Sequence, residues 1–351
     1  MATDRRHFLK LGLGGFLFPL VGCGRPVPVV EERMYVFGTM VDVAVVGSTD
    51  RIQAETAMRT VTARFRQMHD EWHAWKPGAL TELNKAIARG ERIKTDPSVL
   101  ELIRGGTEVW RSSQGLFNPA IGALVGLWGF HADEMPVGEL PALEQVESFR
   151  QRPPTMDEIT IDGLEVSSTN PLVQLDFGGY AKGVALDWAL DALERAGCDN
   201  AIVNLGGNLA AMGRRGDRPW RIGVRHPQGD GVIAAVETRG REAVVTSGSY
   251  ERYREWGGVR YPHIIDPRTG HPAQHVASVT VIDRDAARAD AAATALVVAG
   301  MKQWPAVARS MGVREVMVID DEGNVQFSAA MMDRARFVGA KPRSVRVAPG
   351  A

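Results

Sequence analysis

Asp290 and Thr294 stand four residues apart in the alanine-rich stretch Arg288 to Ala299. Positions i and i+4 of a helix share a face, so one carboxylate oxygen and one hydroxyl oxygen can reach the same point. Hard oxygen donors of low total charge suit a Mg2+ that completes its sphere with substrate phosphates. The same spacing also fits a locally paired Asp290 and a core Thr294, and spacing alone favours that plainer reading. A second segment, Asp176-Phe177-Gly178-Gly179-Tyr180-Ala181-Lys182-Gly183, opens a helical pattern. Its glycines let the backbone approach a ligand, the helix start attracts phosphate, and Lys182 adds a point charge. It is neither a Walker A loop nor a GxGxxG turn, and a tight packing loop would look the same. A third region joins Thr246-Ser247-Gly248-Ser249-Tyr250 to His263-Ile264-Ile265-Asp266-Pro267-Arg268-Thr269-Gly270. A turn over Pro267 to Gly270 explains Asp266, Pro267 and Gly270, but not why His263 and Thr246 fall beside it.

These segments need elements to position them. Tyr35 to Val46 is rich in valine and alternates, which predicts a strand. Arg51 to Asp70 predicts a helix with Met58, Val61, Phe65 and Met68 on one face. Ser98 to Arg111 predicts a second helix, entered through Pro97. A glycine-rich connection at 113–117 leads into Asn118 to Phe130. Residues 131–157 are acidic and proline-rich and read as a surface excursion with one short helix. The helix after the glycine loop runs from Ala181 to Ala196, buries Leu186, Leu190 and Leu193, and stops at Gly197. Strands are expected at Ala201 to Leu205, Trp220 to Arg225, Ala243 to Ser247 and Val276 to Asp283. A closing hairpin over Val313 to Asp320 and Val325 to Ser328 turns at Glu322-Gly323-Asn324. The tail after Lys341 reads as disordered. Strands and helices mix without a βαβ rhythm, which places the chain in the α+β class.

The chain has 351 residues, 44% of them hydrophobic, enough for a full core. Its formal net charge of −1 argues against nucleic acid as a partner, since a phosphate-backbone binder carries a basic excess. With two cysteines, Cys23 and Cys198, no disulfide framework is expected. Cys198 reads as a small buried hydrophobe.

The N-terminus reads as an address. Asp4-Arg5-Arg6-His7-Phe8-Leu9-Lys10 precedes a short apolar run, Leu11 to Val21, too short and glycine-rich to span a bilayer. The arginine pair resembles a twin-arginine export signal. Leu20-Val21-Gly22-Cys23 resembles a lipobox, in which Cys23 would be lipidated. The expected organisation is a signal over 1–23, a proline-containing tether over 24–32, a single domain over 33–340 and a tail over 341–351. The expected location is the periplasmic side of a bacterial membrane, with a lipid anchor at Cys23.

Taken in order, the polar segments resemble the ApbE family of FAD:protein FMN transferases. The resemblance runs from Phe37-Gly38-Thr39 through Gly115-Leu116-Phe117-Asn118-Pro119, Leu127-Trp128-Gly129-Phe130 and Asp176 to Gly183. It continues through Asn204-Leu205-Gly206-Gly207, Thr246-Ser247-Gly248, the His263 to Gly270 block and Ala289-Asp290 with Thr294. It implies one compact, T-fold-related domain of mixed, largely antiparallel sheets flanked by helices. It implies Mg2+ held by Asp290, Thr294 and the backbone oxygen of Gly179. FAD, as substrate, would be contacted by Phe37, Trp75, Leu116, Phe117, Asn118, Asp176, Lys182, His263 and Ile264. Lys182 would assist phosphate chemistry, and His263 is the candidate base, an imidazole being poised near neutral pH; an Asp acting through water is its rival. The partner would be an acceptor flavoprotein of an exported or membrane electron-transfer complex, modified on a Thr or Ser. Asn118 and Asn208 stand where the family commonly has Asp, and His73 where Ser is common; an amide keeps the hydrogen-bond shape of a carboxylate but not its charge. The same site would serve an FAD pyrophosphatase using water, or an FAD-binding lipoprotein without transfer.

Overall fold

The computed structural model describes residues 27–48, 50–135, 137–339 and 341–349. The expected signal, the lipobox with Cys23 and the export route lie outside the described residues.

Strands β1 (Val29–Val36) and β2 (Thr39–Val46) form a hairpin. Helices α1 (Arg51–Trp72) and α2 (Ala79–Ala88), strand β3 (Ile93–Lys94) and helix α3 (Pro97–Ser112) follow. Helices α4 (Gly122–Leu127) and α5 (Leu143–Gln151) flank an excursion. Next come β4 (Ile159–Asp162), β5 (Glu165–Ser168) and α6 (Ala181–Arg195). A run of strands follows: β6 (Ala201–Leu205), β7 (Asn208–Met212), β8 (Arg221–Arg225), β9 (Val232–Glu237) and β10 (Glu242–Gly248). It continues as β11 (Tyr253–Trp256), β12 (Val259–Pro262) and β13 (Val276–Asp283), then helix α7 (Ala286–Ser310). The chain closes with β14 (Glu315–Asp320), β15 (Asn324–Phe327), α8 (Ala329–Arg334), β16 (Arg336–Phe337) and β17 (Ser344–Val347).

Nine strands make one sheet in the order β1-β2-β6-β7-β10-β13-β14-β15-β17. Every neighbouring pair is antiparallel except β15 and β17, which run parallel. Side chains alternate between two covered faces. Val245, Val316 and Val318 pack with α1, α3, α6 and α7. Val244, Met317 and Ile319 pack with Trp220 and with Ile222 and Ile233 of the small β16-β9-β8 sheet. Each such aliphatic gains about 1.5–3 kcal/mol from full burial. A sheet covered on both sides loses its polar face, which is why β10, β13 and β14 read as valine runs. This is the α+β architecture expected.

The helices start where side chains satisfy their first amides. Asp50 accepts from the Gln53 amide at 3.0 Å, Asp96 from Ser98 at 2.7 Å and Asp285 from Arg288 at 2.8 Å. The continuous strand expected over Tyr35 to Val46 is instead a hairpin, because Phe37 (φ 55°) and Gly38 (φ 72°) form a two-residue turn. Positive φ at both turn residues matches the twist of paired strands. Residues Val29–Glu32, expected within the tether, pair as part of β1. The tail expected to be disordered carries β17, whose Val345 and Val347 alternate with Ser344 and Arg346 alongside β15. The Arg343 amide donates to the Gly323 carbonyl at 3.0 Å, and the Ser344 hydroxyl to Asn324 Oδ1 at 2.8 Å. Free hydrogen-bonding groups on the β15 edge override the weak local signal of four residues.

Candidate functional site

The Asp290 carboxylate is buried where α6 crosses α7. The Gly183 amide donates to its Oδ2 at 3.0 Å and the Asn208 amide to its Oδ1 at 2.9 Å. Only glycine allows the first contact. A Cβ on Gly183 would lie 2.6 Å from the Ala286 carbonyl carbon and the Ala287 Cα. Burial pushes the Asp290 carboxyl above its ordinary range, against the pull of Lys182, the Gly183 N–H and Asn208. Among the described residues no cationic side chain bonds it directly; Lys182 acts through its charge, which also reaches His263. A buried carboxylate without a bonded counter-ion is costly, and a cation would relieve it.

Thr294 lies one turn on. Its hydroxyl reaches back to the Asp290 carbonyl at 3.3 Å and lies 3.3 Å from the Ser247 hydroxyl of β10. Gly179 sits against it: a Cβ there would lie 2.8 Å from Thr294 Oγ1 and 3.3 Å from Phe117. The expected metal-binding atoms therefore come from two neighbouring elements. Among the described residues no three His, Cys, Asp or Glu side chains cluster to hold a metal. The Asp290 carboxylate, the Thr294 hydroxyl and the Gly179 carbonyl would together make an incomplete oxygen set, the kind Mg2+ uses when phosphates supply the rest. The residues present fit that ion.

Asp176 closes the other end of the loop. Its Oδ1 accepts from the Gly178 amide at 2.8 Å and its Oδ2 from His131 Nε2 at 2.9 Å. Burial pushes this carboxyl up, but the His131 bond and charge, the Gly178 N–H and Arg252 outweigh it and hold it below the usual range. His131 stacks on Trp75 at 5.1 Å, and Trp75 meets His73 edge-on at 4.4 Å. His73 continues through His69 to Phe37, giving an aromatic row that ends at the β1–β2 turn. His73, where the resemblance expects Ser, accepts from the Lys76 amide at 3.1 Å and so shapes the Trp75 turn. Burial, then the charges of His69 and Lys76, lower its pKa to about 4.

The Nδ1 of His263 is 3.1 Å from the Arg252 carbonyl. A carbonyl only accepts, so Nδ1 carries the proton and Nε2 the lone pair. Burial is the largest cause lowering the His263 pKa to about 4, with the Arg252 and Lys182 charges adding to it. The His263 imidazole is therefore neutral at neutral pH. Arg252 in turn donates to the carbonyls of Phe130 at 3.1 Å and Ala132 at 2.8 Å, fixing the segment that carries His131.

Other expected contacts are placed differently. Leu116, Phe117 and Ile264 are buried in the main core, with Phe117 also touching the glycine loop. The Asn118 side chain donates to the Pro154 carbonyl at 2.8 Å and accepts from the Ala120 amide at 3.0 Å, so both its ends hold backbone. Sequence reasoning missed His131, Arg252 and Asn84. Asn84 brackets Leu175, donating to its carbonyl at 2.9 Å and accepting from its amide at 2.7 Å, and so delivers Asp176. His131 directly follows the Leu127 to Phe130 motif, the one signal that pointed to it.

A buried carboxylate beside a glycine loop, an aromatic row and a neutral histidine make up the candidate enzyme site of this α+β fold. Residues 37–318 match the sequence model of the ApbE family, which is most of the chain. The chain belongs to that family. A Rhodobacter capsulatus protein named FAD:protein FMN transferase is 46% identical over 323 residues, 92% of this chain; the chain spans 61% of that protein's length. The crystal structure of the ApbE protein from Thermotoga maritima superposes with TM-score 0.80 at 30% identity, covering 88% of this chain and 100% of that one. The apo flavinyl transferase ApbE of Pseudomonas stutzeri gives 0.77 at 30% identity, covering 88% and 97%.

Proposed function

We propose that this chain transfers FMN from FAD to a Thr or Ser hydroxyl of a partner protein in a Mg2+-dependent reaction. The observation that carries the reading is the buried Asp290 carboxylate, bonded only by amides and set beside Thr294 and Gly179. Asp290, Thr294 and the Gly179 carbonyl would hold the ion, which when bound neutralises charge on the pyrophosphate. Phe37, Trp75 and the Asp176–His131 pair lie in one row suited to an isoalloxazine ring, an aromatic surface with a polar end. His263 takes the proton of the acceptor hydroxyl at Nε2 as that oxygen bonds to the FMN phosphorus. The bond from this phosphorus to the bridging oxygen breaks, and AMP leaves with that oxygen. Lys182 stabilises the developing charge.

The partner on this reading is an acceptor flavoprotein of an exported or membrane electron-transfer complex. The chain itself would be exported by the twin-arginine route and anchored through lipidated Cys23. No described helix is long and apolar enough to cross a membrane. The test incubates the mature protein with FAD, Mg2+ and an acceptor domain and reads the acceptor by mass spectrometry. A gain equal to FMN, lost in Asp290→Ala, supports the proposal. Free FMN with an unmodified acceptor refutes it in favour of hydrolysis.

A further inference from the structure

The candidate base His263 and its partner Arg252 also stand at the root of a hairpin. The Arg252 carbonyl accepts from both the backbone amide and the ring of His263. From there β11 and β12 run out as an isolated two-stranded sheet. Its loop is Gly257-Gly258, with φ of 57° and 78°, the geometry of a tight two-residue turn. The turn fixes Trp256 directly opposite Val259, so their side chains share a face.

The outer half of that face is apolar and exposed. Nearer the site the same face carries Arg254 and Tyr261. Arg254 donates to the carbonyls of Trp128 at 3.1 Å, Gly138 at 2.9 Å and Glu139 at 2.6 Å, and Tyr261 stacks on Trp128. Beyond them Trp256 and Val259 are 44% and 49% exposed, and Val137, next to the clamped Gly138, is fully exposed. The opposite face is spent on itself: Arg260 pairs with Glu255 at 2.9 Å and lies over Tyr253. An apolar tip held rigidly by a polar clamp is built for contact rather than for folding.

We infer that Trp256 and Val259 are the docking surface for the acceptor protein, gripping apolar side chains beside the hydroxyl that receives FMN. The inference rests on the transferase reading. A transfer to protein needs a contact surface continuous with the base, and this face runs straight into His263. A lipid surface fits less well, because the tip's one arginine is paired and no basic cluster accompanies the tryptophan.

The test uses a detergent extract of host cells deleted for this chain, whose acceptors lack FMN. FAD, Mg2+ and purified protein are added, and flavin fluorescence is read on a denaturing gel. In the double variant Trp256→Ser with Val259→Ser, labelling at low extract concentration is expected to fall at least about tenfold, the scale of losing an aromatic anchor. It should approach the wild-type rate at high concentration. FAD affinity, read by fluorescence quenching, should match the wild type, and Trp256→Phe with Val259→Ile should restore labelling. Equal labelling at every extract concentration would overturn the inference. So would a parallel loss of FAD affinity, or normal labelling with loss of co-sedimentation with anionic phospholipid vesicles. A wild-type protein that labels nothing would refute the transferase reading and the docking surface with it.

Discussion

Replacing Gly183 with alanine tests the helix crossing on which the site depends. The new Cβ would lie 2.6 Å from the Ala286 carbonyl carbon and the Ala287 Cα, and closer still to the Ala286 oxygen. Carbon contacts settle near 3.5 Å, so α6 must move from α7 by about 1 Å. All three obstructing atoms are backbone, so no rotamer change relieves them. Overpacking of this kind costs about 1–3 kcal/mol. The movement also stretches the 3.0 Å bond from the Gly183 amide to Asp290, and a bond to a charged group contributes about 1.5–3 kcal/mol. Alanine returns about 1 kcal/mol of helix propensity. The net expectation is a loss of about 2–5 kcal/mol in urea unfolding followed by tryptophan fluorescence, accompanied by weaker Mn2+ binding. Gly105→Ala provides the comparison. Its Cβ would meet only the Tyr180 side chain, 3.0 Å from Cζ and nearer the hydroxyl, which can rotate away. It should cost less than Gly183→Ala and leave Mn2+ binding unchanged. A Gly183→Ala protein within about 0.5 kcal/mol of wild type, the range of ordinary surface changes, would refute the crossing as described.

The lowered pKa of His263, about 4, places the acid limb of kcat/KM near that value rather than near the free imidazole's 6.5; a limb near 6.5 would remove His263 as the base. Its sign for stability is the depressed case: the contribution is present above about 6.5 and is lost as pH falls through about 4. Asp187 is the opposite case. Burial, ahead of the Ala286 and Ala287 amides that oppose it, raises its pKa to about 6. Its contribution is present below about 3.9 and is lost as pH rises through about 6. Asp187→Asn should therefore gain on wild type between pH 4 and 7, by about 1–2 kcal/mol after allowing for partial exposure; a stability difference flat with pH would contradict this. His131→Ala leaves Asp176 Oδ2 without the donor now at 2.9 Å. It should weaken FAD binding about tenfold or more, read by flavin fluorescence, and unchanged affinity would show that His131 only fills space.

The elements legible in sequence were those whose own residues decide them. The α1 face, Met58, Val61, Phe65 and Met68, is buried as its spacing predicts. Strands β6 and β13 fall on the expected residues, because short apolar segments between turn formers have few alternatives. The β1–β2 turn was missed because its first residue is Phe37, at φ 55°; a bulky residue in the left-handed region gives no turn signal. The edge strand β17 was missed because its partner supplies the reason it forms. Helix α7 breaks at Gly300, where φ is 71°, beyond the Ala299 limit read from composition.

Site residues divided on the same line. Asp290, Thr294 and the glycine loop were ambiguous by spacing alone and stood out only through the ordered set of motifs, whereas His131 and Arg252 act through partners 45 and 120 or more residues away. Asn208 shows how the distinction bears on chemistry. As a departure from the usual Asp it put FAD contact in question, yet its amide donates to the Asp290 carboxylate at 2.9 Å with both groups buried. A carboxylate at 208 would set two negative charges side by side with no bonded cation, and one of the pair would keep its proton. The amide instead orients Asp290 by donating to it, and sets no second carboxylate in hydrogen-bond contact with it. On the proposed Mg2+-dependent reading, the rest of the ion's charge would be met by the substrate's phosphates, so the ion and the dinucleotide should bind more tightly together than apart.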